Sequence, residues 1–573
     1  MQDYEESVLF LGSWGPFQRR IFFVLSLACV PCGYNILSVI FLLASPPHHC
    51  NIPAHSNLSQ EWIQAIIPVE QVAGQPEKSS CSRYELDLVR NLSAFGVSPN
   101  WLQNQSASES RPEALLSQLK REACRDGWNY STEHFQSTVV TEFDLVCSDQ
   151  WKQPLTSLVY FLGGLSGCFI SGLISDRFGR KPVLFGSIAV LSIFSSAVAL
   201  APSWPVFTVL FFMLGLGQIA SYIAVFVLGS EILVGSSRIL FSSLGQPFVY
   251  VSSMMLLPGT AYLVRSWRHL SLIMAVPGLA CIPLWWLVPE SPRWLLSRGR
   301  LQEAELLLRS AALENQVEAP PVIFLPPKAE KSATHQAESV SFLDLLKTAN
   351  IRHITLKLWL IWFSMSASYF GLSFSMSTLY GNPFLNYFLF TAVELPAYFA
   401  SWLAARSFPR RLSFIGFSLL GALALLFIQG TMKSYPTLTM SLVLLGKFGI
   451  LAGNGVMYIY TGELSPTVIR NTAMSSCAMF SRVGSSVSPY LLEMAEFNKL
   501  LPWITLGALS LLGVLLCIFL PETFRQPLPD TIEQMPVMQW FACPWACKTA
   551  LKEEEKIAKK QTPSIEIIYT TCL

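Results

Sequence analysis

Long apolar runs separated by short polar loops dominate this chain. Twelve runs of about 20 apolar residues are each long enough to cross a bilayer as a helix that bonds its own backbone groups. We number them spans 1 to 12, and they cover residues 21–43, 153–174, 183–201, 205–228, 239–264, 270–288, 353–376, 383–404, 412–430, 437–460, 471–495 and 500–520. Span 7 carries Lys357 and span 11 carries Arg482, so these two are the least typical. The pattern predicts an all-α membrane protein with twelve transmembrane helices.

The composition agrees with this pattern. Only 13% of the 573 residues are charged, whereas soluble proteins usually carry about a quarter. A soluble enzyme is therefore excluded. The net charge of +2, without a basic tract, gives no electrostatic footprint for nucleic acid. We also find no Cys/His array with metal-ligand spacing and no catalytic triad, so we expect no enzyme activity, no metal and no organic cofactor.

Positive charges in the short loops predict the orientation. Arg19 and Arg20 precede span 1, and the loops after spans 2, 4, 8 and 10 carry most of the other short-loop Arg and Lys residues. Such loops stay in the cytoplasm, so both termini are predicted to be cytoplasmic. Arg265 and Arg268 after span 5 are the exception. The predicted units are a cytoplasmic N-terminus (1–20), a first six-helix bundle (21–288), a cytoplasmic linker (289–352), a second bundle (353–520) and a cytoplasmic tail (521–573).

The long loop at residues 44–152 has the features of an extracellular domain. It contains four Asn-x-Ser/Thr sequons, at Asn57, Asn91, Asn104 and Asn129, and four cysteines, Cys50, Cys81, Cys124 and Cys147. In an oxidising compartment an even number of cysteines favours disulfides, but the spacing leaves three pairings open. We therefore predict a glycosylated outer domain with two disulfides.

An internal repeat relates the two halves. Glu231 and Arg238 correspond to Glu463 and Arg470, and the Pro-Glu-Ser/Thr-x-Arg sequence beginning at Pro289 recurs at Pro521, always 232 positions later. Parallel repeats of six helices are typical of transporters that bind substrate between two bundles. The alternative is a twelve-span receptor or scaffold.

The loop between spans 2 and 3, residues 172–181, predicts a gate. Its Asp176 could pair with cationic side chains of the other bundle and close the cytoplasmic side. The alternative is a topology loop with one solvated Asp. The loop between spans 8 and 9 lacks the Asp, so we expect the halves to gate asymmetrically. The candidate gating residues are Asp176, Arg177, Arg180, Glu231, Arg238, Glu290, Arg293, Arg470, Glu522 and Arg525.

Polar side chains within the spans predict a water-filled cavity between the helices. Lys447 and Tyr458 share one face of span 10, Arg482 lies in span 11, and Glu394 lies in span 8. Ionisable groups inside a membrane are costly and are functional by default. The alternative for Glu394 and Lys447 is a buried pair that holds helices together.

Several motifs together resemble one transporter family. They are Phe10–Arg19, the loop at 172–181, Pro289–Trp294 and Tyr460–Asn471, together with the large cysteine-bearing loop. The chain is similar to the organic ion transporters (solute carrier family 22) of the major facilitator superfamily, and within them to the organic cation/carnitine transporters of the novel type. The resemblance implies a multi-pass plasma-membrane protein that transports by alternating access.

Arg482 gives the most information about the substrate. The resemblance implies an Asp here in cation-selective members and an Arg in anion and carnitine-type members. A guanidinium binds a carboxylate through two parallel hydrogen bonds, and aromatic faces hold a quaternary ammonium. We therefore predict carnitine, betaines and ergothioneine-like solutes as substrates. The candidate substrate-binding residues are Arg482, Tyr34, Tyr222, Trp362, Tyr369, Glu394, Lys447 and Tyr458. The alternatives are an organic anion exchanger and a receptor or sensor that does not transport.

The sequence leaves sodium coupling open. The resemblance associates it with spans 1 and 4 and with a Tyr-x-Tyr-x-x-Glu run, here Tyr458 to Glu463. The candidate ion-coupling residues are Ser221, Tyr460 and Glu463. However, Cys32 and Ser221 stand where such relatives have Asn, and neither replaces an amide oxygen well as a ligand for a hard cation.

The end of the chain predicts a protein partner. Thr571-Cys572-Leu573 has the Ser/Thr-x-apolar form that PDZ domains bind by strand addition.

Overall fold

The computed structural model describes residues 7–72, 75–99, 119–324, 345–376, 379–466 and 469–526. The predicted PDZ-binding terminus at Thr571–Leu573 lies outside these residues. Every predicted span is helical. In chain order the helices are Pro16–Ala28, Val30–Ile36 and Ser38–Leu42 (span 1), Lys152–Phe178 (2), Arg180–Val198 (3), Trp204–Ile232 (4), Ser236–Leu240 and Gln246–Leu263 (5), Trp267–Cys281 (6), Ala349–Ser375 (7), Pro383–Ala392 and Glu394–Ser407 (8), Arg410–Thr431 (9), Pro436–Leu464 (10), Arg470–Glu493 (11) and Leu501–Ile518 (12).

Ten of these spans are long and apolar enough to cross a membrane. Spans 7 and 11 are also long, at 27 and 24 residues, but they are more polar. They are the two that the sequence marks as atypical. The all-α membrane fold is confirmed.

Three spans are interrupted where proline or a π-turn disturbs the helix. Span 1 breaks at Cys29, just before Pro31, and span 8 breaks at Val393, just before Pro396. Proline has no N–H to donate, and its ring clashes with the carbonyl four residues earlier. In span 5 a π-turn at Phe241–Gly245 precedes the helix that contains Pro247.

The helices form two equivalent bundles. In the first half, span 4 packs against spans 2 and 3, and in the second half span 10 packs in the same way against spans 8 and 9. Gly217 allows span 4 to approach span 3, since a Cβ there would lie 2.8 Å from the Leu191 nitrogen. Gly449, at the same repeat offset, does so for span 10, because its Cβ would lie 2.6 Å from the Phe417 oxygen. The halves meet along spans 2 and 11 and along spans 5 and 8.

The outer domain is small and cross-linked. Three antiparallel strand pairs form it: His48–Cys50 with Trp128–Tyr130, Val69–Val72 with Gln75–Lys78, and Ser82–Tyr84 with Arg121–Ala123. Its helices are Gln60–Ala65, Leu86–Ala94 and Val139–Glu142. Of the three possible pairings, the disulfides are Cys50–Cys124 and Cys81–Cys147. Asn57, Asn91 and Asn129 are exposed, and Asn104 lies outside the described residues. Glycosylation stays a prediction.

The outer domain docks on span 6 through one carboxylate. Arg268 forms an ion pair with Glu142, and the Trp267 indole donates to Glu142 Oε2 at 2.6 Å. Burial alone would raise the pKa of Glu142, but the hydrogen bonds from Arg268 and Trp267 prevail and hold it below its ordinary value. Arg268 also donates to the carbonyls of Ala199 and Ala201. Arg268, one of the two arginines that depart from the charge pattern of the short loops, therefore has its partners at the outer end.

The linker begins with two helices, Pro292–Ser297 and Leu301–Glu314, and the N-terminal segment is held against the end of the second. Asn315 Oδ1 accepts the Phe17 N–H at 2.8 Å, and Asn315 Nδ2 donates to Gln18 Oε1 at 2.8 Å. Arg20 and Glu314 form an ion pair at 2.7 Å. These contacts fix the start of the linker to the first half.

Candidate functional site

Aromatic side chains close the end of the bundles that carries the outer domain. Phe384 of span 8 stacks on Phe41 of span 1, with ring centroids 6.1 Å apart, and also meets Phe135 and Tyr262 at 5.3 and 5.7 Å. Tyr387 approaches Phe41 at 5.2 Å. We call these five residues the outer aromatic cluster. Because they join the two halves, this conformation is closed at the outer end.

Arg482 lies in the membrane-spanning part of the interface between the halves. Its side chain is partly exposed, and within the described part of the chain its guanidinium makes neither an ion pair nor a hydrogen bond. The hydroxyls of Ser485 and Ser486 bond only to its backbone carbonyl. Its charge acts on Tyr160 and Tyr222 of the first half. The cation therefore lies near the first half and has no partner among the described residues.

Aromatic residues from both halves lie in the same region of the interface as this cation. Tyr222 lies near both Arg482 and Tyr458, and the Tyr222 ring packs on Tyr250 with centroids 5.1 Å apart. Tyr458 is 48% exposed and meets Trp362 at 5.6 Å. The Trp362 indole donates to Thr461 at 3.0 Å, which fixes the ring. We call Arg482, Tyr222, Trp362 and Tyr458 the central site. All four are among the predicted substrate-binding residues.

Glu394 and Lys447 do not belong to the central site. Their side chains are 1% and 0% exposed, and Lys447 Nζ lies 2.9 Å from Glu394 Oε1. The same Nζ lies over the rings of Tyr369 and Phe390, at 3.5 and 4.0 Å from their centroids. In this conformation neither charge is exposed to a substrate, and their role as binding residues stays a prediction. The alternative, a buried pair between spans 8 and 10, describes the geometry.

Two predicted aromatic contacts also have other partners. The Tyr369 hydroxyl donates to Glu394 at 2.6 Å, so this residue belongs to the buried pair. Tyr34 is 5% exposed, and its hydroxyl donates to Thr260 at 2.6 Å. Tyr160 and Tyr250, by contrast, adjoin the central site without having been predicted. An isolated tyrosine in an apolar helix has no sequence signal that separates a chamber wall from a helix contact.

The ion-coupling candidates do not converge. Ser221 is buried and donates to the Gly217 carbonyl at 2.7 Å. The Tyr460 hydroxyl donates to the Pro521 carbonyl, and Glu463 pairs with Arg410 at 3.0 Å. A hard cation needs several oxygen ligands at one point, and these residues do not supply them together. They do not fit a common sodium site, and we derive no step through that ion.

The charged residues after span 2 form a cluster within the first half. Arg180 lies 2.6 Å from Asp176 and 3.1 Å from Glu231. Glu290 accepts the backbone N–H groups of Arg180 and Lys181, at 2.9 and 3.1 Å. Span 3 begins at Arg180, so Glu290 satisfies unpaired donors at a helix N-terminus.

The second half repeats this cluster without the aspartate. Arg410 pairs with Glu463 at 3.0 Å, and Glu522 accepts the N–H groups of Arg410 and Arg411 at 2.9 and 3.1 Å. In place of an Asp, the Ala405 carbonyl accepts from the Arg410 guanidinium. The two clusters therefore differ in this one partner, and asymmetric gating stays a prediction. The ion pairs of both clusters join residues of the same half, whereas the predicted pairs between bundles belong to the conformation whose cavity faces outward.

The remaining gating candidates lie beside these clusters. Arg238 donates through Nε to the Leu233 carbonyl at 3.1 Å, and Arg470 donates to Ser465 at 3.3 Å in the equivalent place. Arg177, Arg293 and Arg525 lie on the same loops, and the guanidinium groups of Arg177 and Arg525 stand over Phe178 and Phe524. Sequence reasoning missed Trp294, whose indole donates to the Asp176 carbonyl at 3.0 Å. A gating role for these residues stays a prediction.

Comparison with known proteins agrees with this architecture. The "Sugar (and other) transporter" family model matches residues 94–535. Solute carrier family 22 member 4 of Mus musculus is 43% identical over 97% of this chain and 98% of its own length. Organic cation/carnitine transporter 2 of Homo sapiens is 44% identical over 93% of this chain and 94% of its own length. The fold is similar to the inward-open xylose transporter XylE from E. coli, with a TM-score of 0.57 at 14% identity over 89% of this chain and 98% of that one. This chain therefore belongs to the solute carrier family 22 transporters of the major facilitator superfamily, a family of membrane carriers and not of enzymes.

Proposed function

We propose that this protein carries small organic zwitterions and cations, such as carnitine, betaines and ergothioneine-like solutes, across the plasma membrane. The observation that carries this proposal is the Arg482 guanidinium, which has no partner among the described residues and whose charge acts on Tyr160 and Tyr222 of the other half. The similarity to solute carrier family 22 member 4 and to organic cation/carnitine transporter 2 supports the same substrate class.

The central site offers one group for each end of a zwitterion. Arg482 would bind the carboxylate through two parallel hydrogen bonds. The faces of Tyr222, Trp362 and Tyr458 would hold a quaternary ammonium, which cannot form hydrogen bonds of its own. Because Glu394 is neutralised by Lys447, no free carboxylate of that pair competes for Arg482. A cation without an acid group would bind to the aromatic faces against the repulsion of Arg482.

Alternating access would use the two ends of the bundles in turn. The outer aromatic cluster closes the outer end here, so the central site would open toward the cytoplasm. Opening the outer end requires Phe384 to leave Phe41, and the opposite end would close as the charged loops after spans 2 and 8 approach each other. We expect Asp176 to gain a partner in the second half in that state.

Uptake by Arg482 variants tests the proposal. Arg482→Gln removes the cation, and Arg482→Lys keeps the charge but loses the planar pair of donors. A charge-assisted hydrogen bond contributes about 1.5–3 kcal/mol, so labelled carnitine uptake should fall at least about tenfold in Arg482→Gln. Tetraethylammonium uptake should not fall. Arg309→Gln, in the linker helix, is the matched control, and surface biotinylation gives the amount of protein. Unchanged carnitine uptake in Arg482→Gln would refute the assignment.

An organic anion exchanger is the second candidate. The charge of Arg482, which has no partner among the described residues, favours it as well, because the Glu394–Lys447 pair supplies no net negative charge to offset it. Competition of carnitine, tetraethylammonium and a labelled aromatic anion separates the two candidates. A well-trafficked protein that takes up none of them would indicate a receptor or sensor. Uptake in sodium medium against N-methylglucamine medium tests sodium coupling.

A further inference from the structure

Two buried thiols lie together where span 1 is interrupted. Cys29 and Cys32 are both 0% exposed, and the sequence between them is Val30-Pro31. The Cys32 N–H donates to the Cys29 carbonyl at 3.1 Å, so one tight turn separates the residues. Both thiols are free. Residues one turn apart have the Cα separation that a disulfide requires, about 4.4–6.8 Å.

We infer that Cys29 and Cys32 form a dithiol within the membrane that oxidises to an intramolecular disulfide and thereby inactivates the central site. The two sulfurs need no large backbone movement to meet, because a single hydrogen-bonded turn separates the residues. The third thiol nearby, Cys281 of span 6, donates to the Leu27 carbonyl at 3.7 Å. Cys281 is therefore a natural control, since it shares the buried environment but has another partner.

Contacts of Cys32 connect the dithiol to the central site. Its Sγ donates to Ser221 Oγ at 3.2 Å, and its carbonyl accepts from Gln218 at 3.2 Å. Both partners lie in span 4, and Ser221 directly precedes Tyr222. A disulfide removes the S–H that donates to Ser221 and draws Cys32 toward Cys29. The buried Ser221 loses that donor, and the turn that positions Tyr222 loses a contact with span 1.

The oxidation needs a small uncharged two-electron oxidant, because the thiols are buried in the spanning region. Diamide, an azo compound, serves as the probe. One thiol adds across the N=N bond, with its sulfur on one nitrogen and its proton on the other. The second sulfur then attacks the first, the S–N bond breaks, and the hydrazine leaves with the second proton. Two electrons pass from the sulfurs to the azo group as the S–S bond forms.

Mass spectrometry of the full-length protein tests the bond directly. After diamide, the protein is denatured and free thiols are blocked with N-ethylmaleimide. We expect the peptide that contains residues 29–32 to carry no maleimide and to weigh two hydrogens less than the dithiol. Dithiothreitol should restore two labelled thiols. Maleimide on both cysteines after oxidation would overturn the inference, and this readout does not depend on any transport activity.

Uptake measurements test whether the Cys29–Cys32 disulfide inactivates the central site. This part of the inference rests on the proposed function. Diamide should lower carnitine uptake at least fivefold, and reversibly, in the wild type and in Cys281→Ser. Cys29→Ser and Cys32→Ser should retain their own initial uptake after diamide. An equal loss in Cys29→Ser, or a disulfide that forms without a change in uptake, would overturn the link. If no substrate is taken up before oxidation, the proposed function fails while the mass result still decides the disulfide.

Discussion

Lys447 Nζ lies 2.9 Å from Glu394 Oε1, and the two side chains are 0% and 1% exposed. The pair joins spans 8 and 10, and the Tyr369 hydroxyl extends it to span 7 through a 2.6 Å hydrogen bond to Glu394. Two ionisable residues that the sequence favours as substrate ligands thus neutralise each other in this conformation. Arg482 is left as the membrane-embedded cation that a substrate could reach.

Breaking this pair should cost more stability than removing it. Lys447→Met leaves the Glu394 carboxylate buried without its cation, and we expect a loss of about 3–5 kcal/mol in unfolding free energy. The double variant with Glu394→Gln removes both charges and should recover at least half of that loss. Thermal unfolding in detergent, followed by fluorescence size-exclusion chromatography, measures both.

The control for that experiment is an exposed pair. Lys499 and Glu77 lie 2.6 Å apart but are 45% and 49% exposed, so Lys499→Met should change stability by no more than about 1 kcal/mol. Carnitine KM in the double variant should stay near that of the wild type. A large rise in KM would instead indicate that the pair contacts substrate.

Docking of the outer domain on span 6 should depend on pH through Glu142. Its pKa is lowered from the ordinary 4.5, because Arg268 and Trp267 stabilise the charged form in the folded protein. The stabilisation is therefore complete above pH 4.5 and is lost as pH falls through the lower folded-state pKa. The difference in melting temperature between wild type and Glu142→Gln should be constant near neutral pH and shrink below pH 4.5. Glu133→Gln, in the same domain, should have the melting temperature of the wild type at every pH. If the difference in melting temperature between Glu142→Gln and the wild type did not change with pH, the assignment would be wrong.

A methyl group at Gly15 should detach the linker from the N-terminal segment. The Cβ of Gly15→Ala would lie 2.5 Å from Asn315 Oδ1, so the Asn315 side chain must leave its bonds to Phe17 and Gln18. We expect a loss of about 1–3 kcal/mol, measured by thermal unfolding. Gly186→Ala, whose Cβ would meet open space in span 3, should not destabilise. Adding Asn315→Ala to Gly15→Ala should cost little more, and full additivity would show that the two residues act separately.

Periodic features of the sequence predicted the bundles well. The apolar runs predicted all twelve helices. The 232-residue repeat predicted that Glu231 is equivalent to Glu463 and Glu290 to Glu522, and these residues occupy equivalent positions in the clusters of the two halves. The repeat did not reveal that Arg180 and Arg410 are the cationic partners within each half. The loop between spans 8 and 9 lacks the Asp that precedes Arg180 in the first half. The sequence therefore does not show that Arg410 is equivalent to Arg180, whereas the structure places both at the first residue of a helix.

The sequence by itself determined the membrane class, the two equivalent halves and the carrier family, because helix length, apolar content and repeat spacing are properties of a linear chain. Only the tertiary structure decided that Lys447 neutralises Glu394, that Cys50 pairs with Cys124 and Cys81 with Cys147, and that Arg482 keeps an unpaired charge. Periodicity places a residue on a helix face, but the partner of that face comes from another helix far away in the chain. Whether a charge is paired therefore depends on helix packing.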